Sequence, residues 1–132
     1  MSNPRILLVD DEVAFTNNIA KLLTRRGYGV MVVNNGENAI RAVEEDDFDV
    51  AVLDLKMPGI DGIETLRLMK RRRPFLEVIM LTGHGSVESG IQGMNLGAFD
   101  YAMKPILLED LLDKIGEAYH RKLMQEERSQ KP

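Results

Sequence analysis

Five polar residues stand directly after apolar runs. Asp10 and Asp11 follow Ile6 to Val9, Asp54 follows Val50 to Leu53, Thr82 follows Val78 to Leu81, and Lys104 follows Ala98 to Met103. If those runs are neighbouring strands, three carboxylates, a hydroxyl and an ammonium share one edge of a sheet. Two unit charges 4 Å apart repel by about 4 kcal/mol at an effective dielectric of about 20. A cluster of three acids therefore calls for a cation, and an all-oxygen donor set points to Mg²⁺ or Mn²⁺ rather than zinc. Lys104 adds a fixed positive charge and Thr82 a hydroxyl donor. The group suits a dianionic phosphoryl beside a nucleophilic carboxylate.

The elements that must position these residues are legible in the hydrophobic pattern. Including Val30 to Val33, there are five short apolar runs. The first four are nearly continuous Val, Ile and Leu, as expected for strands buried on both faces of a parallel sheet. Asp100 interrupts the fifth, which suits an edge strand. Helical spacing separates the runs: Phe15, Ile19, Leu22 and Leu23; Ala39, Ile40 and Val43; Ile63, Leu66 and Met69; and Leu108, Leu111, Leu112, Ile115 and Tyr119. A shorter helix capped by Ser86 runs through Leu96. Asn35 and Asp61 are N-cap candidates, and Asp61 with Glu64 resembles a capping box. Gly27 and Gly97 are placed to end helices, and Pro74 closes a third. Five strand–helix alternations predict an α/β, doubly wound, five-stranded parallel sheet. With strand order 2-1-3-4-5, strands one and three meet where the winding reverses, and ligands bind there, beyond the carboxyl ends of the strands.

Composition bounds the rest. The chain has 132 residues, which suits one domain of 1–122 followed by a polar tail or linker of 123–132. Its net charge of −4 argues against direct nucleic-acid binding. No cysteine is present, which excludes disulfides and thiolate sites. No run reaches the ~18 to 20 apolar residues of a membrane span, and the apolar start is too short for a signal peptide, so a cytoplasmic location is expected.

Taken singly, each residue has an ordinary explanation. Asp10 and Asp11 can cap a helix, Asp54 can belong to a turn before Pro58 and Gly59, and Lys104 can be a solvated lysine. Arg71, Arg72 and Arg73 suit the dipole at a helix C-terminus better than DNA. His84 and His120 are isolated and need no metal. The eight methionines fit core gaps. The joint pattern outweighs these readings.

Four segments carry a family resemblance: LLVDDE at 7–12, VLDLKMPGIDGIE at 52–64, LTGHG at 81–85 and YAMKP at 101–105. In order and separation they resemble the response-regulator receivers of two-component systems, over roughly residues 4 to 122. The resemblance implies a CheY-like, flavodoxin-like (βα)5 fold. It implies Asp54 as phosphoacceptor from a histidine kinase or phosphotransfer protein, in a switch domain and not a classical enzyme. Asp10, Asp11, Asp54 and the Lys56 backbone carbonyl would hold Mg²⁺. Thr82 and Lys104 would bind the phosphoryl oxygens, and Tyr101 would be the aromatic switch. Lys104 and Pro105 would be joined by a cis peptide. The surface of helix 4, strand 5 and helix 5 would control an output, with transcription favoured, and a homodimer through that face fits the family. Two rivals read poorly. A flavin carrier would need a Ser/Thr/Gly-rich phosphate loop where Asp10-Asp11-Glu12 stands, and an Asp-x-Asp phosphatase would need an acid where Lys56 stands. A receiver fold without phosphorylation is the third alternative, and intact chemistry at the five positions counts against it.

Overall fold

A computed structural model describes residues 3–55, 60–83 and 87–130. The strands are β1 (Arg5–Val9), β2 (Gly29–Val33), β3 (Val50–Leu53), β4 (Glu77–Thr82) and β5 (Asp100–Met103). The helices are α1 (Val13–Arg25), α2 (Gly36–Glu45), α3 (Gly62–Arg72), α4 (Val87–Asn95) and α5 (Leu108–Ser129). All strand pairs are parallel and the order is β2-β1-β3-β4-β5. This is the doubly wound α/β arrangement that the alternation predicts.

Period-two side-chain alternation splits the apolar strands between two cores. Leu7, Val9, Ala51, Leu53, Val78 and Met80 pack on the α2–α3–α4 side. Ile6, Leu8, Val50, Val52, Ile79 and Leu81 pack on the α1–α5 side. Strands β1, β3 and β4 are buried as expected. Strand β2 is not: it alternates between exposed and half-buried because it forms a sheet edge with one neighbour and little cover. The apolar run reports β-propensity and cannot report which strand ends up outermost.

Local signals hold in most places. The Asn35 side chain accepts the Asn38 amide at 2.8 Å, and Asp61 accepts that of Glu64 at 2.8 Å. The capping box is only half made, because the Glu64 carboxylate turns to Arg67 instead of back to Asp61. Gly27 and Gly97 take positive φ of 90° and 101°, as helix-ending glycines do. Ser86 lies outside the described residues. Residues 123–129, within the expected polar tail or linker, continue α5. Lys122 holds that turn by pairing with Asp49 at 2.9 Å and Glu126 at 3.1 Å.

Gly62 opens α3 directly against the chain leaving β3. A Cβ there would meet the Leu55 Cα at 2.2 Å and its carbonyl oxygen at 2.5 Å. Backbone cannot swing aside as a side chain can. Gly62→Ala is expected to cost about 3 kcal/mol, read as a lower urea midpoint at unchanged slope.

Candidate functional site

The site is assembled by ladder bonds carried one residue past the strands. The Asp10 amide donates to the Val33 carbonyl at 3.2 Å, and the Asp54 amide to that of Val9 at 2.9 Å. The Lys104 amide donates to the Thr82 carbonyl at 2.9 Å. Each chemical residue is thereby locked to the neighbouring strand before its side chain is considered. Asn34 adds a bond from its Nδ2 to the Asp10 carbonyl at 2.7 Å. Asp10, Asp54 and Thr82 are buried at 4%, 5% and 1% exposure.

Lys104 reaches further into this crevice than its place in the sequence implies. Its Nζ donates to Asp10 Oδ2 at 2.6 Å and Glu12 Oε1 at 2.8 Å, and lies 4.0 Å from Asp54 Oδ2. The Phe15 ring sits beneath the ammonium, 4.3 Å from its centroid. Asp10 also accepts the Glu12 amide at 2.9 Å. Burial draws the Lys104 pKa down, but the hydrogen bonds it donates to Asp10 and Glu12, together with the charges of Asp10 and Asp54, outweigh it and the net direction is up. Asp10 is nevertheless held above the ordinary carboxylate range, first by burial and then by the Asp54 charge, against the pull of Lys104. One ammonium shared among three acids keeps its own proton firmly and leaves the acids under-compensated.

The carboxylates gathered here are Asp10, Glu12 and Asp54, with ligand oxygens within 4.8 Å of one another. Asp11, expected among them, is exposed and stands outside that group. Glu12, itself exposed, is the third member of the group through its contact with Lys104, a role the sequence reading missed although LLVDDE contains it. Three negative charges against one lysine leave two in excess, and the donors are all hard oxygens. This donor set fits a divalent cation of the magnesium or calcium type. The Lys56 carbonyl and His84 lie outside the described residues. Lys104-Pro105 is a cis peptide, as the resemblance implies. Tyr101 is half-buried on β5, and its hydroxyl donates to Met103 Sδ at 3.3 Å.

The under-compensation has a measurable sign. A carboxyl held above its ordinary pKa opposes folding once pH exceeds that ordinary value; the opposition fades as pH falls through the raised pKa and is gone below the ordinary one. Asp10→Asn is therefore expected to raise the metal-free melting temperature by a few degrees at pH 7. The gain should shrink toward pH 4, and Mg²⁺ should stabilise the wild type more than the variant. A lower melting temperature at pH 7 would contradict this.

No described helix is long and apolar enough to cross a membrane. Comparison with known proteins places the chain. The family model "Response regulator receiver domain" matches residues 6–116. The transcriptional regulatory protein TcrA of Mycobacterium tuberculosis is 41% identical over 115 residues, covering 87% of this chain and 46% of that protein. The chain thus spans about half the length of this relative. A CheY-like receiver domain protein from Methanospirillum hungatei superposes with a TM-score of 0.90 at 34% identity, over 94% of this chain and 99% of that one. A response regulator from Burkholderia pseudomallei, whose structure holds a phosphorylated aspartic acid, a calcium ion and citrate, gives 0.83 at 25% identity, over 98% of this chain and 76% of that one. With the strand order, the strand-end acids and these matches agreeing, the chain belongs to the response regulator receiver domain family, whose members are signalling domains of two-component systems.

Proposed function

We propose that Asp54 accepts a phosphoryl group from the phosphohistidine of a histidine kinase or phosphotransfer protein. The observation that carries this reading is the buried Asp54 carboxylate at the end of β3, beside Asp10, Glu12 and the Lys104 ammonium. An Asp54 oxygen attacks phosphorus in line, the P–N bond breaks, and its electron pair returns to the histidine nitrogen. Asp10, Glu12 and Asp54 would hold Mg²⁺ or Mn²⁺, with Asp11 and the Lys56 carbonyl contributing as the family resemblance implies. When bound, the ion would supply charge neutralisation at the oxygens.

Lys104 then exchanges Asp10 and Glu12 for a phosphoryl oxygen, and the Thr82 hydroxyl donates to another. Because the Lys104 and Thr82 backbones are already bonded, a shift in either is felt by both β4 and β5. Tyr101, on β5 with its ring beside Gly90 of α4, then rotates and carries the change to the α4–β5–α5 face. That face controls an output, and the transcriptional relatives favour transcription. Hydrolysis of the acyl phosphate resets the domain.

The test is intact mass after incubation with acetyl phosphate and Mg²⁺. One adduct of about 80 Da, absent with EDTA, is expected. No adduct, together with no beryllofluoride-dependent change in the amide spectrum around Tyr101, would overturn the proposal.

A further inference from the structure

The two edges of the sheet are not protected alike. β5 opens with Asp100 and is followed by Pro105, and residues 87–119 around it hold six acids and two bases. The chain's whole net charge of −4 therefore lies at that edge, and the remainder is neutral. Charge and proline are ordinary devices against the addition of a further strand. β2 has neither. Its sequence is Gly-Val-Met-Val-Val, and its register against β1 runs without a bulge. The direction of its open groups follows from one contact. The Val33 carbonyl accepts the Asp10 amide, so Val33 faces β1, and by alternation so do Met31 and Gly29. Val30 and Val32 turn amide and carbonyl outward, with no hydrogen-bond partner among the described residues.

The side chains at this edge are equally open. The methionines were expected to fill core gaps, and Met69 and Met80 do, but Met31 is 41% exposed. It borders a groove of about 350 Å³ between β2 and α2, with Val33, Arg41, Ala42 and Glu45. Asp46, a further charge on this groove, is held by Arg5. Arg41 and Glu45 stand one helical turn apart, and neither meets an opposite charge within ion-pair distance among the described residues.

We propose that β2 pairs antiparallel with β2 of a second copy of this chain, about a two-fold axis at Met31, so that one sheet runs through both copies. The strand fits itself in that register. Val30 lies opposite Val32 of the second copy, and each such pair exchanges both its amide–carbonyl bonds. Met31 meets Met31 of the second copy in a non-hydrogen-bonded pair, where Cα atoms approach to about 4.5 Å. Each methionine enters the other copy's groove, which an unbranched, polarisable side chain suits. Gly29 comes opposite Val33 of the second copy and leaves it room. A shift by one residue sets outward groups against inward ones. A register centred on Val30 calls on the Tyr28 amide, which the Leu23 carbonyl already accepts. One centred on Val32 calls on Asn34, beyond the end of β2. The two α2 helices lie antiparallel across the axis, so Arg41 of each copy comes within reach of Glu45 of the other. An isologous pairing needs this self-complementary order of charge. A separate partner would be selected by a surplus of one sign, and Arg41 and Glu45 leave none. The pairing uses no residue of the Asp54 site and stands whether or not Asp54 accepts a phosphoryl group.

The test is sedimentation equilibrium of the full chain from about 10 μM to about 1 mM, with amide hydrogen exchange at both ends of that range. A dimer is expected at the upper end. There the Val30 and Val32 amides should exchange at least tenfold more slowly, while those of Met31 and Val33, bonded to β1 throughout, should not change. Met31→Lys sets two ammonium groups at the axis and should weaken the dimer at least tenfold. Arg41→Glu and Glu45→Arg should each weaken it, and the double exchange Arg41→Glu/Glu45→Arg should restore it to within twofold. Ile91→Lys, on α4 and 58% exposed, should leave it unchanged. Circular dichroism checks that every variant is folded. A monomer at every concentration, or a dimer in which the Val30 and Val32 amides stay fast, would overturn the proposal. So would a dimer kept by Met31→Lys and lost with Ile91→Lys, or one that the double exchange fails to restore.

Discussion

Asp54→Asn is expected to lower phosphoryl uptake at least a hundredfold, leaving no adduct in the intact mass, while making the metal-free protein harder to unfold. The two effects have one origin. The Asp54 carboxylate sits 5% exposed beside Asp10 and Glu12, with Lys104 Nζ 4.0 Å away. Asparagine keeps the shape and removes both the nucleophilic oxygen charge and one of three mutually repelling acids. Activity and stability therefore move in opposite directions, as at sites built for chemistry instead of packing. The opposed signs matter for interpretation. A variant that lost uptake through misfolding would melt lower, whereas this one should melt higher and gain less from Mg²⁺. Retention of the adduct would show that another acid, with Glu12 and Asp10 the nearest, takes the phosphoryl group, and peptide mapping would identify it.

Arg121→Ala is expected to cost about 3–5 kcal/mol, the largest stability loss foreseen for a side chain outside the site. Glu77 opens β4 and is completely buried. Its carboxylate accepts from Arg121 Nε and from Nη2, the latter at 2.7 Å, with Lys70 Nζ 3.9 Å away. The Arg121 guanidinium also lies 4.7 Å from the Phe99 ring centroid. Lys70 is a poor substitute, because burial lowers its pKa against the pull of Glu77 and its ammonium already serves the Pro74 and Leu76 carbonyls. Truncating Arg121 strands a buried negative charge. The double variant Glu77→Leu/Arg121→Leu, which removes both charges, should recover most of the loss. Arg121 and Lys122 are also what tie the last three turns of α5 to the foot of the sheet. Amides from residue 119 onward should exchange faster in Arg121→Ala, while those of β1 and β3 follow only the global change. A loss below about 1 kcal/mol would mean that the pair contributes no more than an exposed ion pair.

These outcomes mark where sequence reasoning reached. The alternation of short Val/Ile/Leu runs with helical stripes determined the parallel sheet, because period and run length are properties of contiguous residues. The strand-end positions of Asp10, Asp54, Thr82 and Lys104 followed at once, since parallel strands all point their carboxyl ends the same way. Asn35 and Asp61 were legible as caps because capping is local, and Gly27 and Gly97 as stops for the same reason.

What the sequence left undecided depended on residues far apart in the chain. Adjacent acids in the turn after β1 carry no periodicity, so only the folded turn decides that Glu12 meets Lys104, 92 residues away. Glu77 reads as a polar residue at a strand start. Its complete burial arises because α5 lays Arg121 across it from 44 positions further on. The edge position of β2 is likewise a matter of which strand found no outer partner. The net charge of −4 is written in the composition, but its concentration on one face beside an apolar trough exists only once α4, β5 and α5 are packed together. Local chemistry is encoded in neighbours along the chain, whereas burial and the pairing of distant charges are properties of the packed molecule.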